Sequence, residues 1–188
     1  MAVVINGSGT VTGIAVGGLP DGIVDSGTLA TNSVDSAELI DGSIDTSHIG
    51  TDQITSAIMP AGSILQVVQG SFGSNFATTA TGQTASGYTV SLTPTTSGNK
   101  VLVFLRGNVR HGTNDSWGAV QIKDTTNGTF SDNVQAIARG TNEEHYIVFH
   151  QFTTTSTSSH TYELYQGSCD IGTKNYNRHS MILMEIAG

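Results

Sequence analysis

Two polar stretches in the second half of the chain carry residue types that bind sugars and other surface receptors. Aromatic rings stack on sugar faces, while amides and the fork-shaped guanidinium supply hydrogen bonds around them. Such residues occur together in "RHGTNDSWG" (residues 110–118) and in "GTKNYNRH" (172–179). Both stretches are predicted to be loops, where binding residues concentrate on a rigid scaffold. The receptor-binding candidates are Arg110, Asn114, Asp115, Trp117, Lys174, Asn175, Tyr176, Asn177 and Arg178.

Two of these candidates have an alternative role in packing. Trp117 stands where a strand is predicted to begin, so its ring could equally fill the core. Tyr176 has the same ambiguity. The sequence leaves both interpretations open.

The carboxylates do not form the pair across a groove that polysaccharide cleavage uses. Glu143 and Glu144 are adjacent and would point to opposite faces of a strand. The aspartates of the second half lie in predicted turns, where Asp is common. The sequence also lacks a nucleophile elbow, a phosphate-binding loop and a His-Glu zinc helix. We therefore expect no catalysis and no cofactor.

Six histidines raise the question of a metal site, because neutral imidazole is a common ligand. His145 and His150 are separated by an odd number of positions, so a strand would send them to opposite faces. His111 and His179 lie close to predicted loops, and no His-x-His pair occurs. One histidine repeated around a symmetry axis remains an alternative ligand set. We predict packing or surface histidines and no metal.

The charge distribution excludes several classes of partner. The net charge is −8, and residues 1–60 contain seven acidic residues without a lysine or arginine. Nucleic-acid binding, which needs a basic patch, is not expected. The apolar runs Val101–Leu105 and Met181–Met184 are too short to span a bilayer. Cys169 is the single cysteine, so no disulfide forms within the chain.

The N-terminal third has an apolar residue at every fifth position. This period fits neither a helix nor a flat strand, because both would scatter such residues over several faces. The residue two places before each grid position is small or turn-prone, so a bend within each pentad could bring the apolar side chains back to one side. The predicted axial residues are Ile14, Leu19, Val24, Leu29, Val34, Leu39, Ile44, Ile49 and Ile54.

Three structures are compatible with this grid. We favour an intertwined homotrimeric stalk, because one chain has too little apolar area to offset the entropy of ordering these residues. A monomeric pentapeptide-repeat solenoid has a similar pattern, but ten pentads would give only about two and a half coils. A disordered acidic linker is the third possibility, and the strict period counts against it.

The second region, residues 61–188, is predicted to be an all-β antiparallel sandwich or jelly roll. All twelve aromatic residues lie beyond residue 71, and turn sequences separate about eight strand-like runs. "VLVFL" (101–105) and "MILM" (181–184) are apolar on both faces, which predicts cover on both sides, the second side by a neighbouring subunit. The predicted strands are Ser63–Gln69, Tyr88–Leu92, Lys100–Arg110, Trp117–Lys123, Thr129–Arg139, His145–Phe152, His160–Gln166 and Ser180–Ala187.

Five stretches, spread over nearly the whole chain, are similar to segments of one known family. They are "GTVTGIAVGGLPDGIV", "DGSIDTSHIGTDQIT", "MPAGSILQVVQ", "HTYELYQG" and "NYNRHSMILMEIAG". The first resembles the N-terminal segment of short bacteriophage tail fibres, and the second resembles their stem repeats without the usual lysines. The third resembles the start of their tip domain, and the last two resemble its closing strands. These fibres have a repeat stem and a trimeric jelly-roll tip related in shape to tumour-necrosis-factor and complement-head domains.

The resemblance implies a trimeric virion component that is made in the host cytoplasm and attaches the particle to a host glycan or receptor. Residues 1–20 would dock to a tail, baseplate or capsid protein, 21–60 would form the stem, and 61–188 would form the tip. A head decoration fibre with a mainly structural role is the alternative. A monomeric solenoid and a polysaccharide-degrading tailspike are further alternatives. No membrane insertion is expected.

Overall fold

The computed structural model describes residues 4–5, 11–12, 15, 24, 27, 29, 31, 34, 39, 42–51, 53–112, 116–138, 143–168 and 173–188. The chain divides into two compact units, Met1–Gln53 and Ile54–Gly188. The sequence analysis placed the corresponding boundary near residue 60. Of the residues singled out above, the described part does not include Ile14, Leu19, Asn114, Asp115 and Cys169.

The described part of the first unit contains a short antiparallel ladder and a series of turns. Strand β1 (Val4–Ile5) pairs with β2 (Val11–Thr12), with Val4 opposite Thr12. Further along, the backbone N–H of His48 donates to the carbonyl of Asp45 at 3.1 Å, and that of Gln53 donates to Gly50 at 3.3 Å. These are turns that recur with the period of the apolar grid.

The same turn recurs where the second unit begins. The N–H of Ile58 donates to the carbonyl of Thr55 at 3.0 Å, and the N–H of Ser63 donates to Pro60 at 3.1 Å. Each turn starts immediately after a grid position, so a bend lies between one apolar side chain and the next. The backbone thus has, at these repeats, the bend that a five-residue period requires.

The described residues of the second unit contain ten strands, and the prediction of an all-β antiparallel sandwich is confirmed. Every predicted strand is present, and the predicted strand Thr129–Arg139 is observed, over its described residues, as two short strands separated at residues 131–133. The strands are β3 (Ile64–Phe72), β4 (Phe76–Thr78), β5 (Thr84–Leu92), β6 (Lys100–His111), β7 (Ser116–Asp124), β8 (Thr129–Phe130), β9 (Val134–Ala138), β10 (Glu143–Thr153), β11 (His160–Gln166) and β12 (Lys174–Ile186).

Two five-stranded antiparallel sheets form the jelly roll. The first has the order β10-β6-β12-β3, with β4 also paired to β12. The second has the order β5-β11-β7-β8, with β9 also paired to β7. From β5 onward the chain passes repeatedly between the sheets, so the strands that are hydrogen-bonded neighbours are mostly distant in sequence.

The core lies between the two sheets and is filled by alternate residues of the long strands. On β6 the inward residues Val101, Val103 and Leu105 are fully buried, as are Met181 and Leu183 on β12. Their neighbours in the sequence point away from the core and are half-buried, except Arg106, which is exposed. The prediction that these two strands are apolar on both faces is therefore confirmed, with one face in the core of the chain.

Glu185 is a fully buried carboxylate that joins three segments at one end of the sandwich. It accepts hydrogen bonds from Gln66 Nε2 at 2.6 Å, Asn99 Nδ2 at 2.7 Å and the backbone N–H of Thr95 at 2.8 Å. Burial raises the pKa of Glu185, but these hydrogen bonds lower it more, so the net pKa lies below 4.5. A carboxylate whose pKa falls on folding stabilises the folded state above pH 4.5. This contribution is lost as the pH falls through the pKa of the folded state.

Gly107 provides a test of the packing between the first sheet and the core. A Cβ at this position would overlap His179 Cδ2 and would lie 2.6 Å from Tyr146 Oη, and both rings belong to buried residues. We expect Gly107→Ala to reduce the free energy of unfolding by about 1–3 kcal/mol, because an added methyl group must displace one of the rings.

The matched control is Gly82→Ala, because an added Cβ there has no atom within 4 Å and Gly82 has no positive φ. Denaturant unfolding should show a change within about 0.5 kcal/mol for this control. Equal midpoints for Gly107→Ala and the wild type would contradict the packing described.

Candidate functional site

The structure brings four of the predicted binding residues together at one end of the first sheet. In the ladder of β6 and β12, Arg110 lies opposite Asn175 and Asn108 lies opposite Asn177. Glu143, the first residue of β10, pairs with Arg110 from the other side. We call the set Arg110, Glu143, Asn175, Asn177 and Arg178 the polar end of the sheet.

This polar end lies far from the point where the chain enters the sandwich. Ile64, at the start of β3, pairs with Ile186, which in turn pairs with Lys100 at the first position of β6. Arg110 stands ten residues further along β6, about 33 Å away at the usual rise of a strand. The polar end is therefore at the opposite end of the sheet from Ile64, where β3 begins.

The prediction of a loop at residues 174–178 is wrong, because these residues form the start of β12. Lys174 and Tyr176 point into the core and are 0% and 1% exposed. Lys174 Nζ donates to the carbonyl of Ala80 at 2.6 Å, and Tyr176 Oη donates to Gln166 Oε1 at 3.4 Å. Their polar ends are bound inside the domain, so neither side chain is available to a receptor at the surface.

Trp117 is also removed from the polar end. It is the second residue of β7, in the other sheet, where it pairs with Ile137 and is half-buried. The alternative considered for it was a ring that fills the core at the start of a strand, and the structure shows the strand position with a half-buried ring.

The histidines near the predicted loops are buried packing residues. His111 is the last residue of β6, next to a loop as predicted, whereas His179 lies within β12, and the two are 0% and 2% exposed. His145 is exposed, while His150 lies on the inward face of β10, as their odd separation predicted. Among the described residues, no group of three His, Cys, Asp or Glu side chains is placed to hold a metal ion.

A β-bulge in β12 shapes the polar end. The strand advances from Asn177 to Ser180 while its partner β6 advances only from Asn108 to Arg106, so β12 contains one extra residue there. Arg178 takes up the irregularity with φ of 54°, in the left-handed region that few residues other than glycine adopt. Its side chain is 77% exposed. The bulge thus directs a guanidinium outward from the sheet.

Glu143 is held by donors from the adjacent strand β6 and from β12, the next strand beyond it. It accepts hydrogen bonds from Asn108 Nδ2 at 2.9 Å and Asn177 Nδ2 at 3.1 Å, and Arg178 Nη1 lies 3.7 Å from its Oε2. The hydrogen bonds from Asn108 and Asn177 are the main reason that the pKa of Glu143 is lowered, and the charges of Arg178 and Arg110 add to them.

An open cavity of about 390 Å³ adjoins this carboxylate on the outward face of the sheet. We call it the Arg106–Arg178 cavity. Sequence reasoning selected one lining residue, Arg178, and missed the rest, because strand alternation alone does not show which outward residues of distant strands meet. The lining residues are Arg106, Gly107, Asn108, His145, Tyr146, Ile147 and Arg178.

Next to this cavity, the centre of the same sheet face is apolar. Phe104 of β6 and Phe149 of β10 are paired across the ladder, with ring centroids 4.7 Å apart, and Ile182 of β12 lies opposite Phe104. Phe149 is 56% exposed. With Leu102 and Met184 in the adjacent row, these residues form what we call the apolar sheet face.

Comparison with known proteins gives similarity in structure only. No protein-family model and no curated protein matches the chain. None of the described residues belongs to a helix long and apolar enough to cross a membrane.

Three solved structures illustrate the similarity. A structure of infectious bursal disease virus Gx strain is 11% identical with a TM-score of 0.37, and the match covers 66% of this chain and 33% of that chain. The CBM22-1 xylan-binding domain from Paenibacillus barcinonensis Xyn10C is 16% identical with a TM-score of 0.33, covering 69% and 99%. The VLP of giant freshwater prawn Macrobrachium rosenbergii extra small virus is 9% identical with a TM-score of 0.22, covering 66% and 86%.

The chain thus spans a third of the length of the bursal disease virus protein. At TM-scores this low, the similarities carry no argument about what the chain does.

His179, which packs behind the Arg106–Arg178 cavity, gives a prediction for the pH dependence of stability. Its ring lies 5.2 Å from that of Tyr88 and 6.0 Å from that of Tyr146, and neither ring nitrogen has a hydrogen-bond partner within the described part of the chain. Burial lowers the pKa of His179 from 6.5 to about 4. As the pH falls, His179 therefore takes up a proton at a higher pH in the unfolded chain than in the folded chain. The free energy of unfolding should consequently decrease as the pH decreases from 6.5 towards 4.

Thermal melting between pH 7 and pH 4.5 measures this effect. His179→Phe should lose less stability over that range than the wild type, whereas His145→Gln, which changes an exposed histidine, should follow the wild type. Parallel curves for His179→Phe and the wild type would refute the assignment.

Proposed function

We propose that this chain is a non-enzymatic structural subunit of a virion fibre, and that it forms a homotrimer whose jelly-roll domain binds the host cell surface. The observation that carries the proposal is the exposure of the apolar grid. The seven described grid residues from Val24 to Ile54 are each between 41% and 56% exposed in the single chain. Exposed apolar residues in a regular series mark a surface that is covered in the assembled molecule.

Two further copies of the chain are the occupant that fits this series. The exposure varies little from one repeat to the next, so every repeat presents a similar apolar area, as expected of identical layers around an axis. A pentapeptide-repeat solenoid would instead bury its central residues within one chain. The homotrimeric stalk therefore requires no partner other than further copies of this chain.

The apolar sheet face supports the same assembly in the second unit. Phe104, Phe149 and Ile182 lie on the outward side of the sheet whose inward side already contacts the core. Exposed aromatic and aliphatic side chains at the centre of a sheet are costly in water, at roughly 25 cal/mol for each Å² left uncovered. A neighbouring sandwich in a trimer would cover them.

The polar end provides the binding surface of this proposal. Arg110, Asn175, Asn177 and Arg178 combine amides and guanidiniums, which suit the hydroxyl and acidic groups of surface glycans. Contacts of this kind are individually weak, because they replace hydrogen bonds with water. Three sites per fibre and several fibres per particle would raise the avidity by orders of magnitude.

Binding without cleavage is the reaction class that fits these residues. Glu143 and Glu144 point to opposite sides of β10, so they cannot act as a pair on one glycosidic bond. Attachment to the tail, baseplate or capsid through residues 1–20 is part of the proposal. A head decoration fibre with a mainly structural role is the second candidate, and it is favoured if the sandwich does not bind cells.

If the proposed trimer forms, light scattering should give the mass of three chains for the purified protein.

Leu39→Asp should weaken the stem. Leu39 is 43% exposed in the single chain and would place three like charges around one axis. We expect protease cleavage within residues 14–59 of this variant, while the sandwich remains intact. Thr31→Asp adds the same charge at an exposed position off the grid and should resist proteolysis like the wild type. Full resistance of Leu39→Asp would show that Leu39 is not axial.

Adhesion to host cells tests the second part of the proposal. Labelled full-length protein should bind cells of the bacterium that the parent phage infects, and it should block phage adsorption. Arg178→Ala should reduce binding several-fold, because it removes a guanidinium of the polar end whose side chain is 77% exposed. Lys100→Ala, which removes a positive charge at the other end of β6, serves as the control. A wild-type protein that neither adheres nor blocks adsorption would favour the decoration fibre.

A further inference from the structure

The Arg106–Arg178 cavity combines two guanidiniums that the chain itself does not neutralise fully. Arg106 points outward from β6, opposite Ile147 of β10 and Ser180 of β12, and both of these neighbours are uncharged. Among the described residues, no carboxylate lies within ion-pair distance of Arg106. Its charge is therefore available to a ligand in the cavity.

Arg178 reaches the same cavity through a costly backbone conformation. A non-glycine residue in the left-handed region is strained by roughly 1–3 kcal/mol, and such strain is concentrated at functional sites. Its one ion pair within the described residues is the 3.7 Å contact to Glu143, which leaves most of its donors unused. The sequence places arginine where glycine would remove the strain.

The remaining walls indicate what kind of molecule would bind. Ile147, which is 70% exposed, forms an apolar wall beside the charged groups, and His145 and Asn108 add polar atoms. A guanidinium fork matches the oxygens of a carboxylate or a phosphate. A cavity of about 390 Å³ next to an apolar wall accommodates the carbon frame of a sugar ring as well as its anionic group.

Glu143 shows that this end of the sheet can hold a carboxylate. The side chain already receives two amide hydrogen bonds and a contact from Arg178. It is at the same time a competitor, because its negative charge reduces the attraction of Arg178 for a second anion. Replacing it with the neutral amide of glutamine should free that guanidinium while keeping the shape of the side chain.

We infer that the Arg106–Arg178 cavity binds the carboxylate of an acidic sugar, such as a uronic acid of a surface polysaccharide. This inference rests on the proposed binding function of the jelly-roll domain and specifies the class of its ligand. Arg106 and Arg178 hold the carboxylate, Ile147 contacts the sugar ring, and Glu143 limits the affinity.

Calorimetric titration of the full-length protein with glucuronate, glucose 6-phosphate and glucose tests the inference. We expect glucuronate to bind and glucose not to bind measurably. Arg106→Gln and Arg178→Gln should each weaken glucuronate binding about tenfold or more, because each removes a charge-assisted contact. Lys100→Gln removes a charge at the other end of β6, outside the cavity and the polar end, and should change the affinity less than about twofold.

Two further variants separate binding from folding. Arg178→Gly permits the observed φ without strain, so it should melt at or above the wild-type temperature and still lose affinity. Glu143→Gln should bind glucuronate several-fold more tightly, which is a change in the direction that damage to the fold would not produce.

The outcomes are decisive in both directions. Equal binding of glucuronate and glucose, or unchanged affinity in Arg106→Gln and Arg178→Gln, would overturn the inference. Binding of glucose 6-phosphate alone would overturn the assignment to a carboxylate. Adhesion to cells that glucuronate does not inhibit would uphold the proposed function and reject the site. Glucuronate binding without adhesion to cells would uphold the site and reject the proposed function.

Discussion

The antiparallel pairing of β12 with β6 is the interaction on which the rest of the structure depends. It joins the last strand of the chain to a strand that begins at Lys100, and β12 also pairs with β3 and β4 on its other edge. The ladder therefore places a strand in the middle of the sheet whose two faces are both apolar. One face closes the core, and the other provides the apolar sheet face that the proposed trimer would bury.

The bulge in this ladder determines which residues face inward. Because β12 contains one extra residue between Asn177 and Ser180, both side chains point outward although they are three positions apart. The extra residue brings His179, Met181 and Leu183 to the inward face. A regular ladder would have exchanged the two faces beyond this point, so the position of Arg178 and the packing of the core have the same cause.

The ends of the core are closed by polar groups rather than by apolar ones. Lys174 and Glu185 stand near opposite ends of β12, and both are 0% exposed. Each forms hydrogen bonds to groups in other segments, Lys174 to the carbonyl of Ala80 and Glu185 to donors from three residues. Buried charges persist in proteins when they are satisfied in this way.

The sequence by itself determined the all-β class, nearly all the strands and the five-residue period, because alternation and turn residues are local signals. It also indicated that 101–105 and 181–184 are apolar on both faces. Tertiary structure decided that Lys174 and Tyr176 are buried, because they donate hydrogen bonds to Ala80 and Ala119, which lie far away along the chain. It likewise decided the position of Arg106 beside Arg178, since a bulge and a strand register are set by long-range pairing, which local sequence patterns do not report.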